Sequence, residues 1–233
     1  MVEAQAPAFK WPPLESNPEV FTDYMRKVGL PEAWTINECF GLDDDCLSFV
    51  PKPTIAVIAV FESLAKDGSQ REGGDPSLPV PFYMKQTENL DMACGVIACI
   101  HSILNNLHNI KLQEGSILEK YYLASKDKSA LDRALALEAM EDFKSVHAAS
   151  AAQGQTEVPD SGDNVNHHFI AFVRTEDGKL VELDGMKKGP VVLSEKTDDL
   201  LKDSADILLK RVADGLYSES ISVQVLCKTP DEV

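Results

Sequence analysis

The feature that most constrains the fold is the apolar segment TIAVIAVF at residues 54–61. Both sets of alternating positions are apolar, and several of the residues are β-branched. A strand that is polar on neither face must be covered on both faces, so this pattern predicts a central strand between two layers. The segment is too short to cross a bilayer as a helix. We therefore expect a sheet with helices on both sides.

Helical patterns occur on both sides of this strand in the sequence. Asn17-Pro18-Glu19 has the residue types of a helix start and Gly29 those of a helix end, which predicts a first helix between them. Residues 94–108 are apolar nearly all round at helical spacing and predict a buried helix. Further helices are expected at residues 118–124, 129–150 and 198–212.

Short strand patterns fill most of the remaining sequence. A turn at Glu176-Asp177-Gly178 predicts a hairpin between the strands at residues 167–174 and 180–184. Other strands are expected at residues 34–40, 190–193 and 221–227. No linker separates two cores and no repeat is present, so we predict one domain over residues 1–233, a three-layer α/β/α sandwich.

The charge balance limits the partners of the chain. With 38 acidic and 22 basic residues its formal net charge is −16, which disfavours nucleic acid and anionic membranes. Such a surface attracts a basic macromolecule and speeds its capture, and salt weakens this effect. From the charge alone, the favoured interpretation is that the acidic balance only keeps the protein soluble. The opening residues MVEAQAPAFKWPP lack the basic and apolar regions of a secretory signal, so we expect a cytoplasmic protein.

The cysteines point to free thiols. There are five, an odd number, and no two of them have CxxC spacing. In a cytoplasmic protein this pattern predicts reduced thiols and indicates neither a zinc site nor another metal or cofactor. We interpret all of them except Cys94 as buried structural residues; the others are Cys39, Cys46, Cys99 and Cys227.

Cys94 follows a loop and opens the predicted buried helix. At such a position the unpaired backbone N–H groups and the helix dipole favour the reactive thiolate, and the same N–H groups can donate to an oxyanion. Gly95 is expected to leave room for a substrate backbone. Because buried cysteines are common, a Cys-Gly pair alone does not indicate catalysis.

His168 and Asp184 can supply the base and the carboxylate that a cysteine nucleophile needs. His168 lies near the start of one predicted strand and Asp184 at the end of the next, so an antiparallel pair can bring them together. His167 lies on the opposite face, and His101 is about two helical turns, roughly 10 Å, beyond Cys94, which excludes both as the base.

Several motifs resemble one known family. YMKQT, ACG, GQTE, VNHHFIAFV and LVELDG occur in this order, after the opening WPPLESNPEVF. From about residue 11 to 227 the chain resembles the ubiquitin C-terminal hydrolases, peptidase family C12, in their small single-domain form. The resemblance implies a papain-like fold with a mainly antiparallel sheet and a knotted backbone. It also implies thiol hydrolysis of esters, thioesters and amides at the C-terminal glycine of ubiquitin.

The resemblance assigns roles to individual residues. Cys94 matches the nucleophile, His168 the base, Asp184 the acid that orients the base, and Gln86 the side-chain donor to the oxyanion. Residues 148–165 match the crossover loop, which passes over the active site and limits the size of the leaving group. Residues 8–14 and 151–164 are expected to contact ubiquitin, and the enzyme is expected to act as a monomer.

Two departures from the family pattern are present. Gln86 is eight residues before Cys94, as though two residues had entered the loop between them. A loop insertion costs little stability, but a displaced oxyanion donor can cost about 10²-fold in rate. Asn89 is therefore an alternative donor. Met186 stands where the family commonly has arginine, a change for which the sequence offers no physical reason.

Three further functions are open alternatives. The chain could bind ubiquitin with little catalysis if the insertion misplaces the oxyanion donor. It could prefer a ubiquitin-like modifier such as Nedd8. It could also bind a metal through His167, His168 and Asp184, although these residues lack a known zinc spacing.

Overall fold

A six-stranded sheet forms the centre of the protein. The computed structural model describes residues 9–64, 73–152 and 167–230. Its strands are β1 (Trp34–Cys39), β2 (Thr54–Ser63), β3 (His167–Arg174), β4 (Leu180–Leu183), β5 (Val191–Ser194) and β6 (Tyr217–Lys228). Their spatial order is β1-β6-β2-β3-β4-β5, and each neighbouring pair is antiparallel.

Helices cover both faces of this sheet. They are α1 (Pro18–Val28), α2 (Asp44–Ser48), α3 (Cys94–Leu104), α4 (Ile117–Ser125), α5 (Ala130–Ala139), α6 (Glu141–Ala151) and α7 (Leu200–Ala213). One core joins the sheet to α1 and to α3 through α6, and a second core joins the opposite face to α2 and α7. Among the described residues, no helix combines the length and the apolar composition that crossing a bilayer requires.

The prediction that residues 54–61 form a central strand is confirmed. β2 pairs with β6 on one side and with β3 on the other. Ala56 and Ile58 belong to the core beneath α3, whereas Val57, Ala59 and Phe61 belong to the core beneath α7. All five are at most 2% exposed, so both faces of the strand are buried as its composition requires.

The first helix begins and ends where its cap residues predict. The Asn17 side chain accepts a hydrogen bond from the Glu19 N–H, and Pro18 occupies the first helical position. Gly29 follows the helix with φ 130°, a conformation that residues with a side chain rarely adopt. Local side-chain chemistry therefore sets both ends of α1.

Two helices differ from the prediction. The helix expected over residues 94–108 ends at Leu104, because the side-chain amides of Asn105 and Asn106 donate to the carbonyls of His101 and Ser102 in its last turn. The helix expected over residues 129–150 is two helices, α5 and α6, separated by Met140, whose ψ of 103° is extended.

Two regions of the sequence interpretation cannot be compared with the structure. Residues 65–72, which follow β2, lie outside the described residues. So do residues 153–166, which contain the GQTE motif and most of the expected crossover loop.

Candidate active site

Cys94 is the first residue of α3 and directly follows a 3₁₀ helix at Glu88–Ala93. It is 9% exposed, so its sulfur lies at the edge of the core. No side chain among the described residues caps this end of α3, so its N–H groups can donate to an anion. The space beside Gly95 is taken by Phe21 of α1, since a Cβ there would lie 2.6 Å from the Phe21 ring. Gly95 thus allows close packing of α1, instead of leaving room for a substrate.

The imidazole of His168 and the carboxylate of Asp184 are hydrogen bonded. His168 lies at the start of β3, Asp184 follows the last residue of β4, and Nε2 of His168 is 2.7 Å from Oδ1 of Asp184. Their side chains are 13% and 5% exposed. The imidazole also interacts electrostatically with the Cys94 sulfur, so the structure brings the three predicted residues together.

The electrostatics of the pair favour a charged histidine. Burial by itself lowers the pKa of His168, but the Asp184 carboxylate and the Cys94 sulfur outweigh it and raise this pKa to about 10. Burial likewise opposes ionisation of Asp184, yet the His168 imidazole and the Met186 N–H hold the pKa of Asp184 below its usual value. A carboxylate therefore faces an imidazolium in the folded protein.

Comparison with known proteins identifies the family. A sequence profile of peptidase C12, described as ubiquitin carboxyl-terminal hydrolase, family 1, matches residues 11–213. The chain belongs to this family. It is therefore a cysteine-type ubiquitinyl hydrolase, a deubiquitinase of the ubiquitin pathway. This agrees with the resemblance found in the sequence.

The similarity to individual relatives covers most of the chain. A ubiquitin carboxyl-terminal hydrolase of Drosophila melanogaster is 37% identical over 207 residues, which cover 84% of this chain and 88% of the relative. Isozyme L1 of Homo sapiens is 32% identical over 223 residues, 93% of this chain and 97% of the relative. The Trichinella spiralis UCH37 catalytic domain, crystallised with ubiquitin vinyl methyl ester, has the same fold: TM-score 0.71, 23% identity, covering 95% of this chain and 96% of that one.

The turn that carries Asp184 in this hydrolase is tied to the segment before Cys94. The Tyr83 hydroxyl lies 2.8 Å from the carbonyl oxygen of Asp184 and 2.7 Å from that of Lys187. The Gln86 N–H donates to the Gly185 carbonyl at 2.9 Å. The Asp184 carboxylate is thus held through its backbone as well as through His168. Sequence reasoning missed Tyr83, although it lies three residues before Gln86 in the YMKQT motif.

Gln86 and Asn89 face different partners. The side-chain amide of Gln86 donates to the Asp91 carbonyl at 2.8 Å, within the 3₁₀ helix that leads to Cys94. Asn89 donates at 2.8 Å to the carboxylate of Glu138 on α5. Because an amide nitrogen carries two hydrogens, both residues retain a second donor. The Gln86 amide lies against the segment that leads directly to Cys94, whereas the Asn89 amide is turned towards α5, and this favours Gln86 over Asn89 as the oxyanion donor.

A buried ion cluster lies beneath the Asp184 turn. Glu182 of β4 is 1% exposed, and its two carboxylate oxygens pair with Lys187 and with Arg211 of α7, each at 2.5 Å. Arg211 also donates to the Tyr217 hydroxyl at 2.8 Å. Sequence reasoning missed this cluster, although a glutamate within an otherwise apolar strand is a recognisable sign of a paired buried charge.

The other histidines occupy different surroundings. His101 is fully buried, its Nε2 accepts from the Met84 N–H, and burial lowers its pKa to about 4. His147 is also buried, its Nε2 hydrogen bonds to the Pro12 carbonyl, and burial lowers its pKa to about 4. His167 is exposed at the start of β3. The prediction that His168, and not His101 or His167, approaches Cys94 agrees with this arrangement.

The remaining cysteines are free thiols, as expected. Cys99, Cys39 and Cys227 are buried, and burial raises the pKa of each. Cys46 is partly exposed, contrary to the expectation that it is buried, because it lies on the outer helix α2. Among the described residues, no group of three histidine, cysteine or acidic side chains is arranged to hold a metal ion.

Proposed function

We propose that this hydrolase cleaves bonds at the C-terminal glycine of ubiquitin with Cys94 as nucleophile and His168 as base. Asp184 orients the base, and Gln86 is the side-chain donor to the oxyanion. The observation that carries the proposal is the continuous contact from the Cys94 thiol through His168 to Asp184. A thiolate beside a charged imidazole is the reactive form of a catalytic cysteine.

Each group has a defined part in the reaction. The Cys94 thiolate attacks the carbonyl carbon of the terminal glycine, and negative charge develops on the carbonyl oxygen. The N–H groups at the start of α3 and the free hydrogen of the Gln86 amide donate to this oxygen. Protonated His168 then gives its proton to the leaving group, and a thioester to Cys94 remains.

His168 also serves the second half of the reaction. Once neutral, it removes a proton from a water molecule that attacks the thioester. The Cys94 thiolate leaves and ubiquitin is released with a free carboxylate. Asp184 holds Nε2–H of His168 in both halves, so that Nδ1 is the nitrogen available to the sulfur and to the water.

Ubiquitin is the proposed partner. A relative with the same fold was crystallised with ubiquitin vinyl methyl ester, and the net charge of −16 favours a basic partner. We place its contacts at residues 8–14 and at residues 151–164 of the crossover loop, and most of the second range lies outside the described residues. The same proposal comprises a single papain-like three-layer domain over residues 1–233 with a knotted backbone, acting as a cytoplasmic monomer without a cofactor.

Hydrolysis of a fluorogenic ubiquitin C-terminal amide tests the proposal. We expect turnover by the wild type and none above background by Cys94→Ala, with ubiquitin affinity retained. A C-terminal ubiquitin electrophile should form an adduct that needs Cys94. An unreactive wild type that still binds ubiquitin would identify the weakly catalytic binding protein. A higher kcat/KM for the Nedd8 substrate would identify the other alternative.

A further inference from the structure

Glu138 of α5 binds two side chains of the loop between Gln86 and Cys94. One of its carboxylate oxygens accepts from the Thr87 hydroxyl, and the other accepts from the Asn89 amide at 2.8 Å. Thr87 directly follows Gln86, and Asn89 lies inside the 3₁₀ helix. A single carboxylate thus joins both parts of the loop to a helix that contributes no group to the proposed chemistry.

The same helix supports the segment just before this loop. The Lys85 N–H donates to the Ala130 carbonyl at the start of α5 at 2.9 Å. The Arg133 guanidinium donates to the Tyr83 carbonyl at 2.9 Å. Ala130, Arg133 and Glu138 therefore hold successive parts of residues 83–89. Of these three residues, Glu138 is the one that contacts the segment between Gln86 and Cys94.

Gln86 lies eight residues before Cys94, two more than the family resemblance implies, and a loop of this length needs such support. Added residues increase the number of conformations that a loop must give up to become ordered. An oxyanion donor, in contrast, must be held close to its working position, and a small displacement costs much of its effect. Inside the loop, Leu90 is buried and the Gln86 amide bonds to the Asp91 carbonyl. Glu138 supplies the connection to the rest of the protein at Thr87 and Asn89.

We propose that Glu138 is a positioning residue that fixes the lengthened loop, so that Gln86 and the start of α3 present their donors to the oxyanion together. Glu138 touches neither substrate nor nucleophile and acts through Thr87 and Asn89. The catalytic part of this inference rests on the proposed function, whereas the ordering of the loop does not.

Amide hydrogen exchange tests the ordering without any substrate. The Leu90 N–H donates to the Thr87 carbonyl at 3.0 Å, so it reports directly on the 3₁₀ helix. Glu138→Ala should speed exchange at this amide on the order of tenfold, whereas the amides of β2 remain unchanged. Glu141→Ala is the matched control, because it removes an exposed carboxylate from the neighbouring helix α6 without touching the loop. Equal exchange in Glu138→Ala and wild type would overturn the proposal.

Steady-state hydrolysis of a ubiquitin C-terminal amide tests the consequence for catalysis. We expect Glu138→Ala to lower kcat on the order of tenfold with little change in KM. Glu138→Gln, which keeps an acceptor for one of the two donors, should fall between Glu138→Ala and wild type. Glu141→Ala should match wild type. Full kcat in Glu138→Ala, or an equal loss in kcat and rise in KM, would contradict a positioning role.

A double-mutant comparison separates anchoring from direct donation. If Asn89 only anchors the loop, Asn89→Ala should slow wild type a few-fold but have no further effect in Glu138→Ala. A large effect of Asn89→Ala in both backgrounds would make Asn89 the donor and refute the proposal. If the wild type hydrolyses no ubiquitin substrate while Glu138→Ala still speeds Leu90 exchange, the proposed function fails and the ordering role stands.

Discussion

His168 and Asp184 are carried by two strands of the central sheet, whereas Gln86 lies on a segment held by α5 and by the Asp184 turn. On the sheet, the pairing of β3 with β2 and β4 fixes the backbone, and alternation decides which face each side chain takes. In the loop, hydrogen bonds to side chains such as Glu138 hold the backbone in place.

The contrast predicts different responses to substitution. A side chain on the sheet can be removed without moving its neighbours, because the backbone hydrogen bonds of the strands remain. Its loss therefore reports on chemistry. A side chain that anchors a loop reports on geometry, because its removal frees backbone atoms that other groups depend on. Substitutions in the two regions should differ in size and in the kinetic constant that they change.

The largest effect is expected on the sheet. His168→Gln removes the base and the partner of the thiolate, so kcat should fall by about 10³–10⁴-fold. His167→Gln is a closely matched control, because His167 precedes it in β3 but points to the opposite, exposed face. Single-turnover hydrolysis of a ubiquitin amide measures both. Comparable losses in the two variants would mean that alternation along β3 does not select the base.

In the loop, Gln86→Ala should lower kcat about 10²-fold, since it removes one oxyanion donor. Affinity for ubiquitin should remain nearly that of wild type, because this donor acts in the transition state. Asn89→Ala should cost only a few-fold, since its amide faces Glu138. Hydrolysis rates and ubiquitin titrations on both variants show which residue is the oxyanion donor. A greater loss of kcat in Asn89→Ala than in Gln86→Ala would assign that role to Asn89.

A smaller effect at neutral pH is expected for Asp184→Asn, because an amide oxygen can still accept Nε2–H of His168. Replacing a charge-assisted hydrogen bond by a neutral one costs about 1–1.5 kcal/mol, so we expect kcat to fall about tenfold. The pH profile should change more clearly. With the carboxylate present, the pKa of His168 is about 10, so the alkaline limb of kcat/KM should lie near pH 10. Without the carboxylate, less opposes the lowering of the His168 pKa by burial, so the alkaline limb should move to lower pH. An unmoved limb would show that another group titrates there.

The same pair predicts a sign for stability. The pKa of His168 is 6.5 as the ordinary value and about 10 in the fold, so its contribution is complete below pH 6.5 and lost as pH rises to 10. The pKa of Asp184 is lowered from 3.8, so its contribution is present above pH 3.8 and lost as pH falls below it. The stability advantage of wild type over Asp184→Asn, measured by urea unfolding, should therefore decline from pH 6.5 to 10.

The predictable part of this molecule follows the same division. β2 could be located because a short apolar segment that is rich in β-branched residues and apolar on both faces is typical of a buried strand, and His168 followed from its place on the strand predicted at residues 167–174. α1 could be bounded because Asn17 and Gly29 act on their own helix. These are local rules, and the structure agrees with them.

The rest depends on contacts between residues far apart in sequence. The end of α3 depends on two asparagine side chains, one of which also donates to the Phe82 carbonyl. The contacts of Glu138 reach 49 and 51 residues back along the chain. Helical periodicity places a glutamate on a surface but does not say which loop it meets. The catalytic roles of Cys94, His168, Asp184 and Gln86 stay predictions, because contacts alone do not show which groups act in the reaction, and the role of residues 148–165 stays one because most of them lie outside the described residues.

Tyr83 joins the two regions, and its substitution should have the smallest effect. Tyr83→Phe keeps the ring, which stacks on His101 at 5.4 Å, and removes only the hydroxyl shared by the Asp184 and Lys187 carbonyls. The loss of a buried donor should lower the free energy of unfolding by about 1–2 kcal/mol and kcat a few-fold. Thermal unfolding and steady-state kinetics measure the two effects. Tyr24→Phe on α1 is the control, because it removes a buried hydroxyl that has no hydrogen-bond partner among the described residues. A drop in stability at unchanged kcat would mean that the sheet alone keeps the Asp184 turn in its working position. The position of the loop would then depend on the turn, whereas the position of the turn would not depend on the loop.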